Sequence, residues 1–113
     1  MANIINSSAN LDKKTIYFLT RSKNTMKMSE CDGQVIGVKA WAIYEDADYQ
    51  TQEVKQVLAI LTDEGETLAT ISGTFIRDFL DIVDVFGEDL KKIRIMTGKT
   101  KNNRTFVTCD YAE

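Results

Sequence analysis

Histidine is absent from this 113-residue chain, and so is proline. The first absence removes the commonest general base, the commonest metal ligand and the usual partner of a nucleophilic serine or cysteine. The second, together with only six glycines, leaves no linker or low-complexity stretch to mark a domain boundary. Cysteine is scarce too: Cys31 and Cys109 lie 78 positions apart, too far for the close-spaced pairs of zinc and redox sites, and read as buried, reduced thiols. No run approaches the ~20 apolar residues of a membrane helix. The polar opening, Met1 to Asn10, lacks the basic-then-apolar layout of a secretory signal. A cytoplasmic protein with no membrane contact is the expectation. Carboxylates alone could still serve a glycosidase or hold magnesium, but Glu45-Asp46-Ala47-Asp48 and Asp63-Glu64-Gly65-Glu66 read as solvated turns. No catalytic residue, metal or cofactor is expected.

What is present suits one folded domain: 43% apolar and 27% charged residues on a chain long enough for a single core. The polar segment 1–13 is expected to be a tail and 14–113 the domain. Net charge is −3, which by itself argues against a nucleic-acid binder. Its distribution says otherwise, because residues 1–27 carry +4, residues 28–90 carry −11 and residues 91–113 carry +4. Two basic ends that met in space would make a positive surface.

Hydrophobic periodicity predicts strands at Thr15–Thr20, Gln34–Tyr44, Val54–Thr62 and Thr67–Ser72, then a helix over Thr74–Phe86, then strands Leu90–Thr97 and Arg104–Tyr111. Gly37 suggests a bulge or bend in a strand shared by both halves of a barrel. The Asp63–Glu66 turn makes a hairpin. Ser72 or Thr74 can cap the helix and Gly87 can end it; its apolar face, with Phe75, Phe79, Ile82, Val83 and Phe86, is expected to plug a barrel. From Gln34 onward the order is three strands, one helix and a hairpin. The expected fold is therefore mainly β, an OB-type five-stranded barrel with one helix between strands 3 and 4 and an extra N-terminal strand.

Single strands are held by pairing a positive groove for phosphates with aromatic faces for bases. Strict alternation places Lys39 beside Trp41, opposite an aliphatic face of Ile36, Val38, Ala40, Ala42 and Tyr44. It sets Lys92, Arg94 and Met96 opposite Ile93 and Ile95, and Arg104 and Phe106 opposite Val107 and Cys109. Lys99 and Lys101 sit on the basic tip joining the last two strands. Trp41 and Phe106 could equally be core. Tyr17, Tyr44 and Tyr49 read as half-buried.

Three segments carry a resemblance: Gly33 through Asp46, Thr74-Phe75-Ile76-Arg77-Asp78-Phe79 with Ile82-Val83-Asp84, and Gly98 through Cys109. They resemble the small single-stranded DNA-binding proteins of bacteriophage replication modules, over about residues 33 to 110. The resemblance implies an OB-type fold, sequence-tolerant binding of single strands, and a replication role beside other replication proteins in an infected bacterial cell. The chain departs from bacterial single-strand binders at Asp110-Tyr111-Ala112-Glu113, where those carry a long acidic tail.

The expectation is a non-enzymatic binder of single-stranded DNA. Lys39, Lys92, Arg94, Lys99, Lys101 and Arg104 hold phosphates, Trp41 and Phe106 stack bases, and Arg21, Lys23 and Lys27 extend the track. The alternative is an acidic protein-interaction module or DNA mimic that docks onto a replication or repair protein. A carboxylate-dependent enzyme is a third reading, without an orienting motif. Backbone charge and stacking serve DNA and RNA alike. A homodimer paired through the apolar edge Ile16–Leu19 and a monomer that covers this edge itself are both open.

Overall fold

In the computed structural model, which describes residues 3–8, 11–47 and 50–112, seven strands form one curled sheet beside two α-helices. Asp48, in the first acidic cluster, and Tyr49 lie outside the described residues. The strands are β1 (Asn3–Ser7), β2 (Met26–Lys27), β3 (Val35–Ala47), β4 (Val54–Thr62), β5 (Thr67–Thr70), β6 (Lys92–Lys99) and β7 (Thr105–Ala112). The helices are α1 (Lys13–Arg21) and α2 (Gly73–Phe86). The sheet runs β2-β5-β4-β3-β6-β7, with β1 on β3 as well. The class is mainly β, curled into a half-barrel.

β3 joins the two halves. Its first residues pair with β6 (Val35 with Arg94, Gly37 with Lys92), and from Val38 onward it pairs with β4. The ladder to β4 slips between Val38 and Ala40, so the bend signalled by Gly37 falls at Lys39. The extra residue turns the faces over. Ile36 and Val38 pack against the main core before the slip; Trp41 and Ile43 do so after it, while Ala40, Ala42 and Tyr44 turn to the other side. The expected alternation, with Trp41 opposite one continuous aliphatic face, fails here because a bulge shifts a period of two by one.

The main core lies inside the curl. Phe75 and Phe79 of α2, both 0% exposed, meet Trp41, Leu58, Ile60 and Ile93 there. The helix begins on the Ser72 hydroxyl, which accepts from the Phe75 N–H at 3.2 Å, and ends at Gly87, whose φ of +56° relieves the chain of helical geometry. Phe86 then stacks on Tyr111 of β7, centroids 4.0 Å apart.

A second, smaller core covers the opposite face of the sheet. Leu19 of α1, 1% exposed, packs over Ala40, Ala42 and Ala59, with Leu11 and Phe18 beside it. Small side chains on the strands let the helix approach closely. Here the expected strand Thr15–Thr20 is overturned. Its β-branched and aromatic composition is outweighed by the Asp12 carboxylate, which accepts from the Thr15 N–H at 2.7 Å and starts a helix, and by the burial of Leu11, Phe18 and Leu19 on one face. Ile16–Leu19 is therefore no strand edge for a second copy. The extra N-terminal strand is β1, in the segment read as a polar tail, where Ile4 lies opposite Tyr44.

Both thiols belong to the main core. Burial pushes the Cys109 thiol up to about 12, and Asp78 and Asp110 act in the same direction. The unfolded chain would ionise this thiol near 9.0. Stability from this group is thus full below that pH and falls as pH rises toward 12, by roughly 1.4 kcal/mol per pH unit at most. Cys109→Ala is expected to flatten the alkaline loss, read as urea midpoints at about pH 8 and about pH 10.5. The same loss in chain and variant would refute it.

Candidate nucleic-acid interface

The β6–β7 hairpin alternates as its sequence predicts. Ile93 and Ile95 are buried, Lys92 and Arg94 are exposed, and Val107 and Cys109 face the core. Residues directly opposite on paired strands share a face. Arg94 therefore lies between Val35 and Asp110, Met96 beside Thr108, and Gly98 beside Phe106. Phe106 is 39% exposed because its ring rests over Gly98, where a Cβ would come 2.6 Å from its Cζ. Glycine gives the ring a floor without pulling it into the core. Met96, half-buried, lies between Arg94 and Gly98 on the same face.

The tip is a tight turn. The Thr100 N–H donates to the Arg104 carbonyl at 2.8 Å and the Asn103 N–H to the Thr100 carbonyl at 2.9 Å, with Asn103 at φ +61°. Lys99, Lys101 and Arg104 are exposed around it. By parity Arg104 falls on the Phe106 side of the hairpin, and Lys99, opposite Thr105, on the other. Lys92 to Lys99 spans roughly 24 Å of strand. Among the described residues the only ion pair is Arg77–Asp78 at 3.7 Å, so none of these five cations is held in a salt bridge there, although Asp110 lies opposite Arg94 and Glu64 and Glu66 share a cleft with Lys92.

Lys39 and Trp41 stand apart from this face. Trp41 is 7% exposed and meets the Phe79 ring edge-on, centroids 5.3 Å apart. The slip at Lys39 turns most of the Trp41 ring into the core, and what remains at the surface lines the cleft that Lys39 shares, so the structure sets it apart from Phe106 rather than beside it. The Trp41 backbone is satisfied by Ser8, whose hydroxyl accepts from the Trp41 N–H at 3.0 Å. Lys39 is exposed on the bulge and shares a cleft of about 340 Å³ with Lys91, Asp63 and Glu88. Lys91 carries a signal the alternation missed, since it precedes β6. Its carbonyl accepts from the Val38 N–H at 2.8 Å, which sets it beside the bulge.

A separate cleft of about 580 Å³ is acidic, lined by Asp63, Glu64 and Glu66 with Thr62, Gly37 and Lys92. The Asp63 carboxylate lies over Gly37, at a place where any Cβ would collide with it. Arg21, Lys23 and Lys27 are exposed at and beyond the end of α1. Tyr17 is 50% exposed, whereas Tyr44 is buried, with its hydroxyl pKa raised by burial and by Asp46. Among the described residues no helix is long and apolar enough to cross a membrane. Comparison of the chain with protein-family models, with curated proteins and with solved structures found no match.

Proposed function

We propose that the chain is a non-enzymatic, sequence-tolerant binder of single-stranded DNA, serving phage DNA replication in the cytoplasm of an infected cell. The observation that carries the reading is the outer face of the β6–β7 hairpin. An aromatic ring stands exposed over Gly98, between Lys92 and Arg94 on one side and Lys101 and Arg104 on the other, with none of these cations in a salt bridge among the described residues and Asp110 the carboxylate opposite Arg94. Phosphates take the cations and a base takes the ring. Lys99 serves from the far side of the tip.

The fold is read as an OB-type barrel open along one seam. Counted from β3, the strands lie in the order third, second, first, fourth, fifth, and α2 follows the third. β5 and β7 share no ladder among the described residues, and the Ser72 hydroxyl reaches across to the Val107 carbonyl at 3.4 Å.

The test is the anisotropy of labelled oligo-dT at low and high salt, with duplex DNA as the control. The buried Trp41 is not the reporter of choice. Affinity should fall as salt rises, because neutralising phosphates releases counterions. Phe106→Ala should lose about 1–3 kcal/mol, or roughly 5- to 150-fold, if one base stacks there. Salt-insensitive binding, or an unchanged Phe106→Ala, would refute the arrangement. No binding at all would favour the acidic cleft of Asp63, Glu64 and Glu66 as a docking surface for a basic replication protein.

A further inference from the structure

The face of β4 and β5 on which OB barrels commonly lay a strand is not free here, because α1 lies over it with Leu19 seated among Ala40, Ala42 and Ala59. The outer side of α1 is itself basic. Lys13, Lys14, Tyr17 and Arg21 are all exposed and, at spacings of three, four and seven, share one helical face. No acid occurs between Lys13 and Ser29, and none of these cations has an ion-pair partner among the described residues. Tyr17 is half exposed, its ring edge-on to Phe18.

We infer that α1 is a second contact surface for the same single strand, holding its phosphates on Lys13, Lys14 and Arg21 and a base on Tyr17. The inference rests on the reading of the hairpin as a single-strand site. Its occupant is a polyanion with planar faces, which is what an unpaired cationic stripe around an exposed aromatic complements. Lys39 connects the two surfaces. It lines one cleft with Lys91, the neighbour of Lys92, and the next residue, Ala40, packs in the second core with Leu11, just ahead of α1. The track runs from the hairpin tip past Arg94, Lys92 and Lys39 to α1. Carboxylates are set against it: Asp63 and Glu88 line the cleft with Lys39 and Lys91, Glu64 and Glu66 line another with Lys92, and Asp110 lies opposite Arg94. None of them forms a salt bridge with a cation of the track among the described residues.

A strand crossing the 37 Å width of the molecule would hold about 11 nucleotides at the ~3.4 Å spacing of stacked bases. An oligo-dT of about six nucleotides should therefore fit on the hairpin alone, and one of about twenty should reach α1 as well. The experiment compares both lengths on the unaltered chain and on the quadruple variant Lys13→Ala, Lys14→Ala, Tyr17→Ala, Arg21→Ala, with helix content checked by circular dichroism. All four side chains are exposed, so the fold should survive. The expected result is a loss of about 100-fold for the long oligomer at ~0.1 M salt, with the salt slope shortened by about 2 and the short oligomer bound as before. Unchanged binding of the long oligomer, or an equal loss at both lengths, overturns the role of α1 while leaving the hairpin reading in place. Failure of the unaltered chain to bind either length removes both.

Discussion

Phe79→Ala is expected to cost about 3–5 kcal/mol, the range for truncating a fully buried aromatic side chain. Phe79 is 0% exposed and stands at the junction of the two halves, where α2 meets Trp41 of β3. Deleting the ring leaves a cavity bounded by a rigid sheet, and it also removes an edge-to-face pair worth about 0.5–1.5 kcal/mol beyond area burial. For a domain stabilised by only about 5–15 kcal/mol, much of the margin would go. The measurement is a urea titration followed by Trp41 fluorescence, with an expected midpoint shift of about 2 M at an unchanged slope. Val85→Ala, on the same helix but 76% exposed, should move the midpoint hardly at all, within about 0.5 kcal/mol. Similar shifts for both variants would mean that α2 does not plug the core as described.

The second large effect concerns the hairpin tip. Lys99→Ala, Lys101→Ala and Arg104→Ala together should weaken binding of single strands about 100-fold at ~0.1 M salt, since each lost phosphate contact removes about 0.7 from the slope of log K against log salt. The slope itself should shorten by about 2. Thermal stability should stay where it was, because all three side chains are exposed. Lys55→Ala is the matched control: Lys55 is an exposed cation of β4, away from the hairpin and opposite Asp46. A triple variant that binds as the unaltered chain does, or one no weaker than the control, would place the contacts elsewhere.

Much of the framework is legible in the residues. Val54–Thr62 holds the continuous apolar run Val57–Leu61 and is bounded by turn formers, and β4 occupies those residues; the change of period at Thr74 and the stops at Ser72 and Gly87 delimit α2 to within a residue. Ile93 and Ile95 against Lys92 and Arg94 suffice to orient the hairpin. Three features escape for physical reasons. Thr15–Thr20 has the composition of a strand, and only the cap at Asp12 and the alanine-lined face it packs on make it a helix. β1 is short and mostly polar, and of its two isoleucines Ile4 packs on the second core while Ile5 is exposed, which leaves little hydrophobic pattern to read. The position of Trp41 depends on a bulge, and a single unpaired residue changes no composition and no period on either side of it. Alternation read straight through Lys39 is correct in each half and out of phase between them. The same phase error exposes the candidate site to misreading: Phe106, on an unbroken strand, is legible, and Trp41 is not.

The slip at Lys39 makes chain length, rather than residue identity, the inherited constraint on β3. Lys39 itself is exposed, so its side chain is free to vary as far as folding is concerned. Its presence is not. Removing one residue there would turn Trp41 and Ile43 to the α1 side and bring Ala40, Ala42 and Tyr44 inward, which exchanges the contents of both cores at once. Insertions and deletions should therefore be excluded between Val35 and Ala47, even where substitutions at Lys39 leave the fold intact. Whatever residue stands at the bulge, sequences descended from this one should keep count across it.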